Sequence, residues 1–355
     1  MKKLLLILLC LPIIGFGQQT YVPDDNFELE LINLGYDNVL DDYVTTSNIS
    51  NLTFLNLWGG NISDLTGIED FTALEILRAP NNQLTQINLS NNTALIELGL
   101  TGNLLNLTTN GLDLSNNLLL EKLYISSNDL WSLDLSNNTA LIELHCSDNN
   151  FFALELSSNL NLEYLDCSLN WIDTLNLINN TSLTDLDCSD NNLIDINVSQ
   201  NTALKYLDVS GNNLLNLDIS QNTALEYLDV NFNQLTNLNI SQNDYLYYLD
   251  CSSNYFLNLD FSNHPSLLYF MCNDNDQLTN LNLVSTSLEE LECIGNNNLS
   301  SVDLSNSNIL HIDCIGNNQL TNLNLLGVTN TTLLDVYDNQ LNSLNLNNML
   351  NLYRL

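Results

Sequence analysis

The sequence predicts a leucine-rich-repeat solenoid, a horseshoe of the α/β class that is mainly β, with about 14 repeats and a parallel concave sheet. Two observations lead to this prediction. Leucines begin successive units at a constant spacing of 21 residues, from Leu120 to Leu288. Each unit contains L-x-x-L-x-C, whose alternation of apolar and polar residues is that of a short strand with one buried face. Since no unit holds an apolar run long enough for a helix of two turns, we expect an extended or turn-like convex side.

The full unit reads L-x-x-L-x-C-x-x-N-x-L-x-x-L-x-L-S-x-N-T-x, as in residues 183–203. Fourteen units begin between Leu52 and Thr331, and Leu352 begins another. Extra residues in the unit from Leu95 predict a loop around 106–111. One unit cannot bury its own leucines, so the units must stack, and a strand spacing of 4.7–4.9 Å predicts a solenoid roughly 65–70 Å long.

Two asparagine columns accompany the leucines. An asparagine amide both donates to and accepts from backbone groups, so it suits a tight turn that leaves such groups unpaired. Stacked units would repeat the bond into a ladder. The first column follows the strands, and the second lies later in the unit: Asn149, Asn170, Asn191, Asn212, Asn233 and Asn254, then Asn138, Asn180, Asn201 and Asn222.

Residues 1–18 have the pattern of a cleaved secretory signal peptide, with two lysines, an apolar stretch and small residues before a polar start. Its removal leaves four Lys and Arg against 42 Asp and Glu, a net charge of −38. That field repels nucleic-acid phosphates and anionic lipid, which argues against nucleic-acid partners and membrane docking. No other stretch is long and apolar enough for membrane insertion of the mature chain. The charge favours basic partners or weak divalent cation binding, or serves solubility alone.

Residues 19–51 precede the first unit and are expected to form an N-terminal cap. Asp24 or Asp25 can begin a short helix that buries Phe27 and Leu31 and ends at Gly35. A solenoid needs such a cover over its first coil. Residues 52–355 form the solenoid, which stops within a further strand without a C-terminal cap. We therefore expect a truncated chain, because an uncapped coil exposes a strand edge.

The stretch "LTGIEDFTAL" (65–74) resembles the repeats of internalins, bacterial surface proteins with many leucine-rich repeats. The 21-residue units with cysteine at an inward strand position are similar to the cysteine-ladder repeats of that family. The resemblance covers residues 52–355. It implies a curved solenoid at the cell surface whose concave sheet binds a partner in adhesion.

Seven cysteines occupy one position of the unit: Cys146, Cys167, Cys188, Cys251, Cys272, Cys293 and Cys314. Other units place Leu57, Ala79 or Val209 there, so the position requires only an apolar side chain. A straight column of four thiols spans roughly 14 Å and cannot converge on zinc. Catalysis would need a base and solvent access. We expect structural core thiols and no cofactor, with some disulfides as the alternative, since Cα atoms about 4.8 Å apart fall in the disulfide range.

The outward strand positions carry tyrosine and aspartate columns, followed by serines. The candidate binding residues are Tyr164, Asp166, Asp187, Tyr206, Asp208, Tyr227, Asp229, Tyr248, Asp250 and Tyr269. Tyrosine offers contact area at low entropy cost, although tyrosine is also common in strands that bind nothing. Carboxylates about 5 Å apart repel one another, so the column faces water with raised pKa values, holds divalent cations, or contacts a basic partner. Calcium needs six to eight oxygens, which a flat row supplies only in part.

No Ser-His-Asp, HExxH or phosphate-loop spacing is present, so we do not expect an enzyme. The first hypothesis is a secreted or cell-surface recognition and adhesion module. It would bind a protein or glycan on a surface or matrix through the concave sheet around residues 143–292. The alternative is a spacer or targeting arm of a larger exported protein, whose catalytic or sorting domain lies beyond residue 355.

Overall fold

The computed structural model describes residues 17–106, 112–262, 264–284 and 287–354. Most of the signal segment predicted at 1–18, and most of the loop predicted around 106–111, lie outside the described residues. Strands and helices are numbered along the whole chain. The N-terminal segment holds β1 (Gln19–Tyr21), α1 (Asp25–Asn33), β2 (Tyr43–Thr45) and α2 (Thr46–Ile49), and β1 pairs antiparallel with β2.

A 14-stranded parallel sheet, the main sheet, runs the length of the repeats and confirms the predicted solenoid. Each strand supplies three residues, of which the central one is buried. The strands are β3 (Phe54–Asn56), β4 (Ile76–Arg78), β5 (Glu97–Gly99), β6 (Lys122–Tyr124), β7 (Glu143–His145), β9 (Tyr164–Asp166), β11 (Asp185–Asp187), β12 (Tyr206–Asp208), β13 (Tyr227–Asp229), β14 (Tyr248–Asp250), β16 (Tyr269–Met271), β18 (Glu290–Glu292), β20 (His311–Asp313) and β22 (Leu333–Asp335).

Neighbouring strands pair in register, so equivalent residues of successive units lie side by side. Most pairs join residues 21 apart, as Leu186 with Leu207. The step from Leu98 to Leu123 is longer, yet those two residues still pair. The longer unit therefore leaves the register of the main sheet intact.

The opposite side of each coil is extended, with a 3₁₀ turn at Ile68–Asp70. Part of it forms additional short parallel strands. They are the pair β8 (Ala153–Leu154) and β10 (Thr174–Leu175), and the four-stranded set β15 (Asn258–Asp260), β17 (Asn280–Asn282), β19 (Ser301–Asp303) and β21 (Asn322–Asn324). Among the described residues, neither helix has the length and apolar character that a bilayer crossing demands.

One continuous apolar core fills the solenoid between these two sides. Its members run from Val22 in the N-terminal segment to Met349 in the last coil. The central strand leucines, such as Leu165 and Leu207, are 0% exposed. Burial of each leucine side chain contributes roughly 1.5–3 kcal/mol, so stacking rather than any single coil stabilises the fold.

The first asparagine column forms a ladder between coils. Asn170 Nδ2 donates to the carbonyl oxygens of Cys146 in the preceding coil and Cys167 in its own coil, both at 3.1 Å. Its Oδ1 accepts the backbone N–H of Phe151 at 3.0 Å. The residue before each of these asparagines turns the chain in the left-handed region, for example Leu169 with φ 52°. The amide thus satisfies the backbone groups that this turn leaves unpaired.

The second asparagine column is fully buried near the other turn. Asn201 Nδ2 donates to the carbonyl oxygens of Leu177 at 3.1 Å and Asn180 at 2.7 Å, both in the preceding coil. Asn222 repeats the pattern on Val198 and Asn201. Each unit is therefore bonded to its predecessor at two corners.

Helix α1 begins where the sequence predicts it. Asp24 is the N-cap, and its carboxylate accepts the backbone N–H groups of Asn26 and Phe27. The same carboxylate accepts the Ser63 hydroxyl and backbone N–H, each at 2.8 Å, which joins the helix to the first coil. Burial disfavours the charge, but these bonds outweigh it and lower the pKa of Asp24. The capping role of residues 19–51 stays a prediction.

Candidate functional site

The open face of the main sheet is the side to which the first and third residues of each strand point. In the main sheet, we call the first positions of the strands from β9 to β16 the tyrosine row. The third positions of the strands from β9 to β14 are the acid row. The structure brings all ten candidate residues into these two adjacent rows. The tyrosine row is Tyr164, Asp185, Tyr206, Tyr227, Tyr248 and Tyr269, and the acid row is Asp166, Asp187, Asp208, Asp229 and Asp250.

Three tyrosines at the centre of the row stack face to face. The ring centroids of Tyr206 and Tyr227 are 4.4 Å apart with an interplanar angle of 10°, and those of Tyr227 and Tyr248 are 4.3 Å apart at 9°. In-register parallel strands impose this spacing, because equivalent Cα atoms repeat at about 4.8 Å. The three rings form a preformed aromatic strip, so little side-chain entropy is left to lose when a ligand contacts it.

The outer tyrosines of the row differ from the central three. Asp185 takes the tyrosine position between Tyr164 and Tyr206, which separates Tyr164 from the strip. Tyr164 instead stacks on His145, at 4.5 Å between centroids and 25°. Tyr269 pairs in register with Tyr248, and its hydroxyl lies 3.4 Å from a carboxylate oxygen of Glu289.

The acid row is less exposed than a water-facing ladder would be, because the tyrosine row flanks it on one side and a column of serines, with Asn231 after Asp229, flanks it on the other. Asp229 is only 7% exposed. Burial first, and then the charges of Asp208 and Asp250, raise the pKa of Asp229 to about 8, although the backbone N–H of Asn231 opposes this. Burial likewise raises the pKa of Asp187 to about 6 and that of Asp208 in the same direction.

The serines that follow the strands hold these carboxylates in place. Ser189 donates its hydroxyl to Asp187 at 2.6 Å, and Ser210 does the same to Asp208 at 2.6 Å. The backbone N–H of each serine bonds the same oxygen, at 3.0 and 2.9 Å. The serine column therefore supports the acid row, a role that its polarity alone does not indicate.

A second group of residues, which sequence reasoning missed, lies on β6 and β7. Glu143 accepts Lys122 Nζ at 2.9 Å, the Tyr124 hydroxyl at 2.9 Å and His145 Nε2 at 3.0 Å. Burial disfavours the charged form, but these bonds outweigh it and lower the pKa of Glu143. The repeat alignment could have indicated this group, because Tyr124 and His145 occupy the strand position that holds aspartate in the acid row.

Each of the seven cysteines comes directly after a strand of the main sheet, and all are 0% exposed in the apolar core. Burial raises the pKa of Cys146 and Cys188, which keeps both thiols protonated and unreactive. The sulfurs of Cys293 and Cys314 lie 2.8 Å apart. Among the described residues, no group of three or more His, Cys, Asp or Glu side chains is arranged to hold a metal ion.

The parallel sheet, the two asparagine ladders and the buried thiol column together define a leucine-rich-repeat protein. No protein-family model and no curated protein matches the sequence. Solved structures do match it. The functional domain of InlJ from Listeria monocytogenes, described as including a cysteine ladder, is 29% identical with a TM-score of 0.75, covering 96% of this chain and 75% of that one.

Two further structures extend the comparison. An internalin, inlF, from Listeria monocytogenes is 21% identical with a TM-score of 0.70, covering 94% of this chain and 95% of that one. A plant peptide hormone receptor, RGFR1, in complex with RGF2 is 22% identical with a TM-score of 0.58, covering 88% of this chain and 59% of that one. The chain is therefore a leucine-rich-repeat solenoid that is similar to internalins, and its cysteine column is similar to the ladder described for InlJ.

Proposed function

We propose that the chain is an exported recognition and adhesion module that binds a protein partner through the tyrosine and acid rows. The observation that carries the proposal is the strip of three parallel tyrosine rings, Tyr206, Tyr227 and Tyr248, on the open face. Large rigid rings with polar tips are enriched where proteins bind one another. The leader pattern at 1–18 supports export, with 19–51 as cap and 52–355 as binding solenoid.

Charge indicates what kind of partner would bind. The acid row lies beside the tyrosine strip, and burial raises the pKa values of its three central carboxylates, Asp187, Asp208 and Asp229. A lysine or arginine from a partner would favour the charged form and remove part of that cost. A basic segment on the partner is also attracted by a net charge of −38 on the chain without its leader. The plant receptor complex supports a polypeptide partner, because it shows the same fold bound to another molecule.

The test is selection of peptides from a displayed random library on the purified chain. We expect the recovered peptides to be rich in lysine and arginine and to lose binding when Tyr206, Tyr227 and Tyr248 are all changed to serine. Far-UV circular dichroism must show that this variant remains folded at the temperature of the assay. The matched control changes three exposed tyrosines outside the strip, Tyr245, Tyr255 and Tyr353, to serine and should retain binding.

Three outcomes would contradict the proposal. If the selected peptides bind the strip variant as well as the unaltered chain, the tyrosine row is not the site. If no peptide is enriched over an unrelated acidic protein, the spacer or targeting-arm hypothesis is favoured instead. Binding that depends on added calcium, or on a glycan array rather than on peptides, would replace the protein partner with the cation or glycan alternative.

A further inference from the structure

Gly99 leaves a gap in the open face of the main sheet. It is the third residue of β5, and its in-register neighbours at that position are Arg78 and Tyr124. Its backbone does not lie in the left-handed region, so the conformation does not require glycine. A Cβ built on Gly99 would meet nothing nearer than Arg78 Cγ at 3.6 Å, an ordinary contact. A side chain would therefore fit without strain.

Glycine at this position has a cost that the fold does not explain. In a strand interior it is roughly 0.5–1 kcal/mol less favourable than alanine. The equivalent positions of the later strands all carry a side chain, from Tyr124 on β6 to Asp335 on β22. An isolated glycine within a strand often marks a site where a ligand or another chain approaches closely.

The gap is the base of a cavity of about 280 Å³. Its lining is Arg78, Pro80, Glu97, Gly99, Thr101 and Tyr124. We call it the Gly99 pit. The Pro80 and Tyr124 rings supply apolar walls, and the Gly99 backbone supplies the floor. Pockets for drug-sized ligands span roughly 300–1,000 Å³, so this cavity suits one side chain rather than a larger molecule.

The charges at the rim of the pit are paired with one another. Arg78 Nε donates to Glu97 Oε1 at 2.6 Å, and the Tyr124 hydroxyl donates to Glu143, which also accepts Lys122. Positive and negative charges are thus balanced at this site, in contrast to the acid row further along the sheet. A neutral group can enter the pit without electrostatic repulsion. A free carboxylate would gain little from Arg78, because Glu97 already pairs with it.

The guanidinium of Arg78 is placed to contact a ring. It lies 5.9 Å from the Phe54 ring centroid, and about half of its side chain remains exposed. A guanidinium plane can pack against an aromatic ring with roughly 0.5–2 kcal/mol of cation–π attraction. Together with the Tyr124 and Pro80 rings, it offers apolar and cationic surfaces to an inserted aromatic group.

We propose that the Gly99 pit binds one aromatic side chain of the protein partner and anchors it on the N-terminal part of the sheet. The proposal rests on the proposed function, because it presumes a partner on the open face. It adds a second contact, several coils from the tyrosine strip and of different chemistry. Binding energy at protein interfaces is concentrated where an aromatic residue fills such a pocket.

The direct test uses isolated rings, p-cresol and indole, as stand-ins for tyrosine and tryptophan side chains. Saturation-transfer NMR at millimolar probe concentration should show that both probes bind the unaltered chain. In the amide spectrum of the protein, the Thr101 signal should shift when a probe is added. Gly99→Leu fills the pit and should weaken binding by about tenfold or more, which corresponds to about 1.4 kcal/mol. Gly99→Ala should weaken probe binding less, and it replaces the leucine variant in the test if that variant does not fold.

The matched control is Met271→Leu, which places the same side chain at the same strand position on β16, far from the pit. It should bind both probes as the unaltered chain does. The proposal is overturned if neither probe binds the unaltered chain, or if Gly99→Leu binds the probes equally well.

The selected peptides separate this proposal from the proposed function. Peptides that need the tyrosine strip but bind Gly99→Leu unchanged would remove the pit from the interface and leave the recognition surface in place. Ring binding at the pit without any selected peptide would contradict the proposed function while leaving the pit as a small aromatic site.

Discussion

Replacement of one ladder asparagine by alanine should destabilise the solenoid by about 1–3 kcal/mol. Asn191 donates from Nδ2 to the carbonyl oxygens of Cys167 at 3.0 Å and Cys188 at 3.2 Å, and its Oδ1 accepts the N–H of Ile172 at 2.9 Å. Asn191→Ala leaves the buried Ile172 N–H without its partner, whereas the Cys167 and Cys188 oxygens still accept from Asn170 and Asn212. One buried donor left unpaired costs roughly 1–3 kcal/mol, which gives the stated range.

Hydrogen exchange measures this locally, which matters because a repeat array need not unfold in one step. A loss of about 3 kcal/mol accelerates exchange of the Ile172 amide by roughly a hundredfold. The Leu214 amide, bonded to Asn233 two coils away, should change far less. The control is Asn192→Ala at the neighbouring exposed site, expected within about 0.5 kcal/mol of the unaltered chain. An Ile172 amide that stays as protected as before would refute the ladder reasoning.

Two further predictions concern the acid row and the thiols. Asp229 has a folded pKa of about 8 against an ordinary 3.8, so its neutral form is favoured by folding and stability falls as the pH rises between these values. We expect the free energy of unfolding to drop by about 3 kcal/mol between pH 5.5 and 8.5, and Asp229→Asn to remove most of that slope in urea titrations. A flat profile in the unaltered chain would contradict the burial of this carboxyl. For the thiols, an alkylating reagent should modify none of the seven repeat cysteines in the folded chain without its leader and all seven after denaturation, counted by intact mass. A count of five after denaturation without reductant would instead indicate one disulfide, which peptide mapping would locate.

The repeat pattern predicted the sheet, its length in repeats and the rows on its open face, because strictly periodic strands can only stack in register. It also predicted helix α1, since Asp24 precedes an apolar pattern that ends near a glycine. These features depend on residues close in sequence or related by the period. The role of Glu28 did not follow from the sequence. This buried helical residue accepts the N–H groups of Asp41, Asp42 and Tyr43, which are brought back by a loop without periodicity.

The missed parts of the surface depend on neighbours across the sheet. In the sequence, Gly99 is one more departure from the repeat consensus. Its meaning depends on Arg78 and Tyr124, which lie on either side of it in the sheet. That placement requires pairing across the irregular unit between Leu98 and Leu123. Likewise, the pattern predicted that Asp229 points outward, but its near-complete burial comes from side chains of adjacent rows. The alternation of residues along one strand does not predict burial by side chains of neighbouring rows.

The in-register stacking makes the solenoid act as a ruler. The Gly99 pit and the tyrosine strip are separated by a whole number of coils, and each coil adds about 4.8 Å. Duplication or loss of one 21-residue unit between them would change that separation by one step without altering either surface. If one partner contacts both surfaces, recombination between units would therefore change which partners can span them, with no substitution in either surface.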